Sequence, residues 1–199
     1  MSTTTSRPYH HGNLRSVLLA HAERALSERG VGELSLRELA REAGVSHAAP
    51  RRHFPDKQAL LDALAEDGFE RLRDEIEAAI DSAGKPFKKR LTAFARAYVG
   101  FATQHAALLE LMFAGKHRVG ADKLREASEA TFAIPLGLIA EGQEKGEVAP
   151  GDTEQVAMVA FATLQGLASL VNGGLIDSAT LDDVVPEAVD RLLSGLRPR

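Results

Sequence analysis

Cysteine and tryptophan are both absent from the 199 residues, and aromatic residues make up only 5% of them. Without a thiol the chain forms no disulfide, no thiolate zinc site and no cysteine nucleophile. It contains no HExxH, no GxSxG and no phosphate-binding glycine loop, and no carboxylate pair stands out at a catalytic spacing, so an enzyme is not expected. His10 and His11, with His21, have no acidic or thiol companions to complete a metal site, so neither metal nor cofactor is expected. The polar opening MSTTTSRPYHHGN lacks the apolar stretch of a signal peptide, which predicts a cytoplasmic protein. The longest apolar-rich run, Val156 to Val171, is interrupted by Thr163, Gln165 and Ser169. It is shorter than a membrane span and predicts a helix buried in protein, with no membrane partner.

Sustained alternation of period two is missing as well; helical spacing takes its place. Leu14, Val17, Leu18, Ala22, Ala25 and Leu26 line one face of a first helix that ends at Gly30. Ser35 and Glu38 read as a capping box opening a second helix, packed through Leu36, Leu39, Ala40 and Ala43 and stopped at Gly44. Ser46 is expected to cap a short third helix, and Asp56 a long fourth one marked by Leu60, Leu64, Leu72, Ile76 and Ile80. Gly84 and Pro86 precede further helices, one of which, Asp122 to Glu144, carries Pro135 and should kink there. Asp152 with Gln155 opens a helix to Asn172, and Leu181 to Leu192 mark the last. The expected fold class is all-α: a tail over residues 1–12, a helix-turn-helix head over 13–60 sharing its fourth helix to about residue 83, and a body over 84–199.

The segment GVSHAAPRRHF, residues 44–54, is the informative one. Two short helices joined at Gly44 have the dimensions of a helix-turn-helix. At about 100° per residue, turning Pro50 toward the second helix brings His47 and Phe54 to the same side. Ala48 and Arg52 then point away, with Ala49 and Arg51 on the flanks. Small residues allow close approach to a groove, and arginine bridges guanine acceptors or holds phosphate. The charge agrees: residues 1–57 carry nine Lys/Arg against six Asp/Glu, whereas the rest carry 15 against 22.

From about His11 to Leu64 the chain resembles the DNA-binding domain of the tetracycline-repressor (TetR) family, through LSERG, SLRELAREAGVS and RHFPDKQALL. YHHGNLR and VSHAAP resemble the subgroup named for a Trp-His-Gly motif in its C-terminal domain. The resemblance implies a dimeric, mostly repressing transcription factor that binds a double-stranded DNA operator and carries a small-molecule effector pocket in its body. By position it implies that Ser35 touches phosphate and that Arg37 approaches a base at the second helix. Ser46 opens the recognition segment, in which His47, Ala48, Ala49 and Arg52 face base edges. Arg51, His53 and Lys57 are implied to hold the backbone. Arg51 stands where the family usually has tyrosine, Gln165-Gly166 where the motif has His-Gly, and Ala162 where it has tryptophan.

The helix from Asp152 to Asn172 is apolar on nearly every face, more than one buried side requires. With the last helix it forms the candidate homodimer interface, through Val156, Val159, Ala160, Leu164, Leu167, Val185, Val189 and Leu192; the alternative is a helix internal to one protomer. Phe94, Tyr98, Phe101, Met112, Phe113 and Phe132 are the candidate ligand wall, with His105, His117 and Arg118 as polar anchors; core packing is the competing reading of the same spacing. A DNA-binding regulator governed by a protein partner instead of a small molecule remains open at this stage, as does an all-α enzyme.

Overall fold

The computed structural model describes residues 14–195. Among them are eight α-helices and no strand: α1 (Leu14–Arg29), α2 (Leu36–Glu42), α3 (Lys57–Ser82), α4 (Phe87–Gln104), α5 (Ala106–Gly115), α6 (Asp122–Glu144), α7 (Thr153–Asn172) and α8 (Leu181–Gly195). The tail, including His10 and His11, lies outside the described residues. The chain divides into two compact units at Leu64/Ala65, inside α3.

In the first unit Leu18, Ala22, Leu26, Leu39, Ala40, Phe54, Leu60 and Leu64 are buried. The α2 terminus explains its glycine. Val45 N–H reaches the Ala40 carbonyl at 3.0 Å and Gly44 N–H reaches Arg41 at 3.2 Å, the paired bonds of a Schellman stop. Gly44 takes a φ of 68°, the left-handed region where a side chain would be strained. At the other end of α2 the capping box does not form. Ser35 has extended N-cap geometry but its side chain makes no cap bond. The residues following it, Arg37 and Glu38, are exposed, so water can serve the open amides.

The third helix is also corrected. Only the three residues Pro50–Arg52 are helical, and the turn is 3₁₀. The proline is the cause. It has no N–H for the Ser46 carbonyl, which accepts from Ala49 at 2.9 Å instead, and the Arg52 and His53 amides likewise bond three residues back. With three residues per turn, spacing is about 120°, so Arg51 and Arg52 straddle the buried Pro50 and neither points directly away from it. His47 is exposed, whereas Pro50 and Phe54 are buried, so the expected common side is not formed.

In the second unit α4 packs against α5, α6, α7 and α8. Asp152 caps α7 as expected, accepting from the amides of Glu154 at 2.9 Å and Gln155 at 3.3 Å. Helix α6 continues through Pro135 as one element. Its end comes close to α4: a Cβ on Gly142 would stand 2.7 Å from the Phe87 ring and 2.8 Å from Val148. Helix α7 departs most from expectation. It spans 20 residues, long and apolar enough to cross a membrane by length and composition alone. Within the single chain only Leu164 and Ala168 of this helix are buried. Two of its polar side chains are tied to α4: Tyr98 Oη donates to Gln165 Oε1, and Asn172 Nδ2 donates to the Ala102 carbonyl at 3.1 Å.

Helices α4 and α6 are clamped by an ion pair. Arg90 Nη1 lies 2.6 Å from both carboxylate oxygens of Glu141, and Lys145 Nζ lies 2.6 Å from one of them. The Arg90 hydrogen bonds, then that of Lys145, hold the Glu141 carboxyl down at about 2. Because this lies below the unfolded value of 4.5, the stabilisation is fully present above that pH and is lost as pH falls toward about 2. Acid unfolding of Glu141→Gln should therefore be flatter than that of wild type across this window, with little difference in its shape at neutral pH. Thermal melts at stepped pH check it; parallel profiles would remove the clamp from the acid response.

Candidate DNA-contacting face and effector cavity

The first unit carries its predicted contact residues on α2, on the segment 46–53 and at the start of α3, and leaves most of them exposed. Ser46, His47, Ala48, Arg51, Arg52 and His53 are exposed, as is Arg37 on α2, while Ser35, Ala49 and Lys57 are half-buried. Electrostatics separates these cations from their neighbours. The Glu42 carboxylate draws His21 at 3.1 Å and Arg24 and Arg29 at 3.5 Å, binding α1 to α2. The His21 hydrogen bond, then the charges of Arg29, His21 and Arg24, hold that carboxyl below its usual range. Those arginines are spent on the fold. By contrast, Arg37, Arg51 and Arg52 meet no carboxylate among the described residues, which leaves their forks of donors for an external acceptor. Lys57 is partly committed, because its ammonium donates to the Gly32 carbonyl at 2.9 Å. One cation escaped the sequence reading: Arg15 on α1 lies 5.8 Å above the Phe54 ring, next to the arginine-bearing turn.

In the second unit a cavity of about 280 Å³ lies among α4, α6 and α7, with Lys116 contributed from just beyond α5. Leu91, Phe94 and Ile139 are its buried walls; Glu154 and Met158 are exposed and mark its mouth. Two of the predicted ligand residues, Phe94 and Phe132, line it. The rest are placed elsewhere. Phe101 and Met112 are closed core, 1% and 0% exposed. Tyr98 is buried, its phenol pushed up by burial and committed to Gln165. His105 lies tilted against Phe101 with centroids 4.8 Å apart, approaches Arg71 at 3.4 Å and does not line the cavity. His117 is exposed and, like Arg118, absent from the walls. Phe113 sits behind the cavity, its centroid 6.0 Å from Phe132 and 6.1 Å from Phe161.

Sequence reasoning missed Lys116, Leu136, Ala157, Met158 and Phe161 as lining residues. The Lys116 ammonium lies 5.1 Å from the centroid of Phe113 and 5.0 Å from that of Phe132, and the Phe113/Lys116 spacing of three was the available signal. The interface set is redistributed as well. Leu164, Val185 and Val189 are 1–2% exposed within the protomer, so they cannot meet a partner, and Ala160 lines the cavity. Val159 is 56% exposed, while Val156, Leu167 and Leu192 are half-buried.

Described residues that are helical throughout, with an outward arginine turn in the first unit and a cavity in the second, define the class of helix-turn-helix regulators with a helical regulatory domain. Family comparison narrows this: residues 18–64 match the bacterial regulatory proteins of the tetR family, and residues 91–196 match the tetracyclin repressor-like C-terminal domain. The chain belongs to the TetR family.

A protein of unknown function from Rhodococcus sp. RHA1 is 50% identical, with a TM-score of 0.88 over 97% of this chain and 100% of that one. The transcriptional regulator FadR from Bacillus subtilis, in complex with stearoyl-CoA, is 18% identical with a TM-score of 0.74, over 92% of this chain and 99% of that one, a likeness of fold alone. The HTH-type transcriptional regulator BetI from Rhizobium meliloti is 34% identical over 82 residues, which span 41% of this chain and 40% of that relative's length.

Proposed function

We propose that this chain is a ligand-responsive transcriptional repressor of the cytoplasm, which binds a palindromic DNA operator as a homodimer and releases it when a small molecule fills the body cavity. The observation that carries the reading is the outward turn at Pro50–Arg52, whose two arginines meet no counter-ion among the described residues, in a chain of this family. The ordered cavity supports the effector, which acts only by favouring one state of the protein over another. Finer placement in the Trp-His-Gly subgroup is supported by YHHGNLR and VSHAAP; the tail part of that signature lies outside the described residues. The stearoyl-CoA of the structural neighbour is not carried across.

The homodimer reading is supported by an apolar strip on α7. Met158, Val159, Ala162, Gly166 and Leu170 are all exposed and recur at helical spacing. Val159→Glu should leave the protomer folded, since its site is already open to water, and shift sedimentation at micromolar concentration from dimer toward monomer with weakened operator binding. A variant that remains as dimeric as wild type would remove this strip from the interface. The operator itself is tested by affinity selection of genomic fragments with purified protein. Selected sites should be inverted repeats whose half-site centres lie about 34–36 Å apart, or a multiple of that. Tight sites without two-fold symmetry would overturn the reading.

A further inference from the structure

We propose that the effector is an amphipathic carboxylate whose acid group is received by Lys116; the inference rests on the cavity being the effector site. Nearly all of the wall is hydrocarbon: Leu91, Phe94, Phe132 and Ile139 offer no polar group to a ligand. The charged side chains on the lining are Lys116 and Glu154. They are not equivalent. Lys116 is half-buried, with its ammonium held above two aromatic rings at 5.0 and 5.1 Å, and it has no ion-pair partner among the described residues. The rings orient the ammonium but supply no acceptor lone pair, so its hydrogen-bonding capacity is left for whatever enters. Glu154 is exposed in the first turn of α7, where the amino-terminal helix dipole already favours its charge. A carboxylate on Lys116 with an apolar tail against the phenyl walls satisfies both parts of the lining; a cation at Glu154 would leave the ammonium unmatched.

Volume sets the size. At about 30 Å³ per water-sized group, the space of about 280 Å³ holds roughly nine such groups. Decanoate, with an alkyl tail of that length, is the probe. Calorimetric titration of the full chain with decanoate, decan-1-ol and decylamine compares anion, neutral isostere and cation. Wild type should bind decanoate about tenfold tighter than decanol, the scale of one charge-assisted contact. Lys116→Met should bind decanoate no tighter than the same variant binds decanol, and Lys116→Arg should keep the preference. Ala157→Phe, which fills the cavity, should abolish binding of both.

Equal binding of decanoate and decanol by wild type overturns the anion assignment and leaves the pocket standing. So does a preference that survives in Lys116→Met, or tighter binding of decylamine. If neither decanoate nor decanol binds wild type, or if both bind Ala157→Phe undiminished, the pocket reading fails and this inference fails with it.

Discussion

Replacing both arginines, Arg51→Ala with Arg52→Ala, is expected to abolish specific operator binding at physiological salt while leaving the protein folded. Both side chains are exposed, so neither contributes a buried contact to the head. Each guanidinium removed from a DNA contact costs about 1–3 kcal/mol, and neighbours this close need not add. The single variants then divide the labour. The family resemblance puts Arg51 at the position of a backbone-contacting tyrosine and Arg52 at base edges. Accordingly, Arg51→Ala should weaken all duplexes similarly and reduce the salt slope by about one phosphate's worth, and Arg52→Ala should relax preference at a base pair. The 3₁₀ turn gives no geometric reason for that division, because it sets the two side chains on either side of Pro50 at equal angles. Titration of the three variants against operator and scrambled duplex at several salt concentrations decides it. Wild-type affinity in the double variant would remove this turn from the DNA interface.

Phe54→Ala should destabilise the first unit by about 3–5 kcal/mol, the cost of emptying a fully buried aromatic site. Phe54 is 2% exposed, and its amide bonds the Pro50 carbonyl at 2.9 Å, so ring and backbone both anchor the arginine-bearing turn. Loss of the ring also removes the platform beneath Arg15. Hydrogen exchange is the fitting measurement, since it reports on α1 and α2 separately from the body. Their amides should lose protection while those of α4 keep it. Phe54→Leu, which restores much of the volume, should recover most of the loss. Unchanged protection in the alanine variant would mean that the turn is held from elsewhere.

Much of the helical order was readable because capping and periodicity are local. Asp152 places the start of α7 from its own side chain, and Asp56 likewise accepts from the Ala59 amide at 2.8 Å ahead of α3. Gly44 announces its turn through a backbone angle. The segment 46–54 reads as an α-helix because its residue types allow one; a single missing N–H at Pro50 decides otherwise. The cavity was harder for a different reason. Phe94 and Phe101 share one helix and one apolar character, yet Phe94 lines open space while Phe101 is sealed core. Periodicity identifies the inward face of a helix, not whether its partner across the gap is atoms or void. Likewise α7 was visibly too apolar for one buried side, but spacing alone did not show that Leu164 faces its own protomer and Val159 faces out.

Met158 belongs to two surfaces at once, the cavity wall and the exposed strip of α7. A methionine has three rotatable bonds and fills whatever shape it meets. The rotamer chosen against a molecule in the cavity is therefore also the one shown on the outer strip. Where that strip is covered by a second copy, ligand binding and self-association become linked equilibria, and each changes the other by the same factor. Affinity for the ligand then depends on how much protein is present: dilution through the dissociation range of the dimer alters it with no change in the cavity's composition.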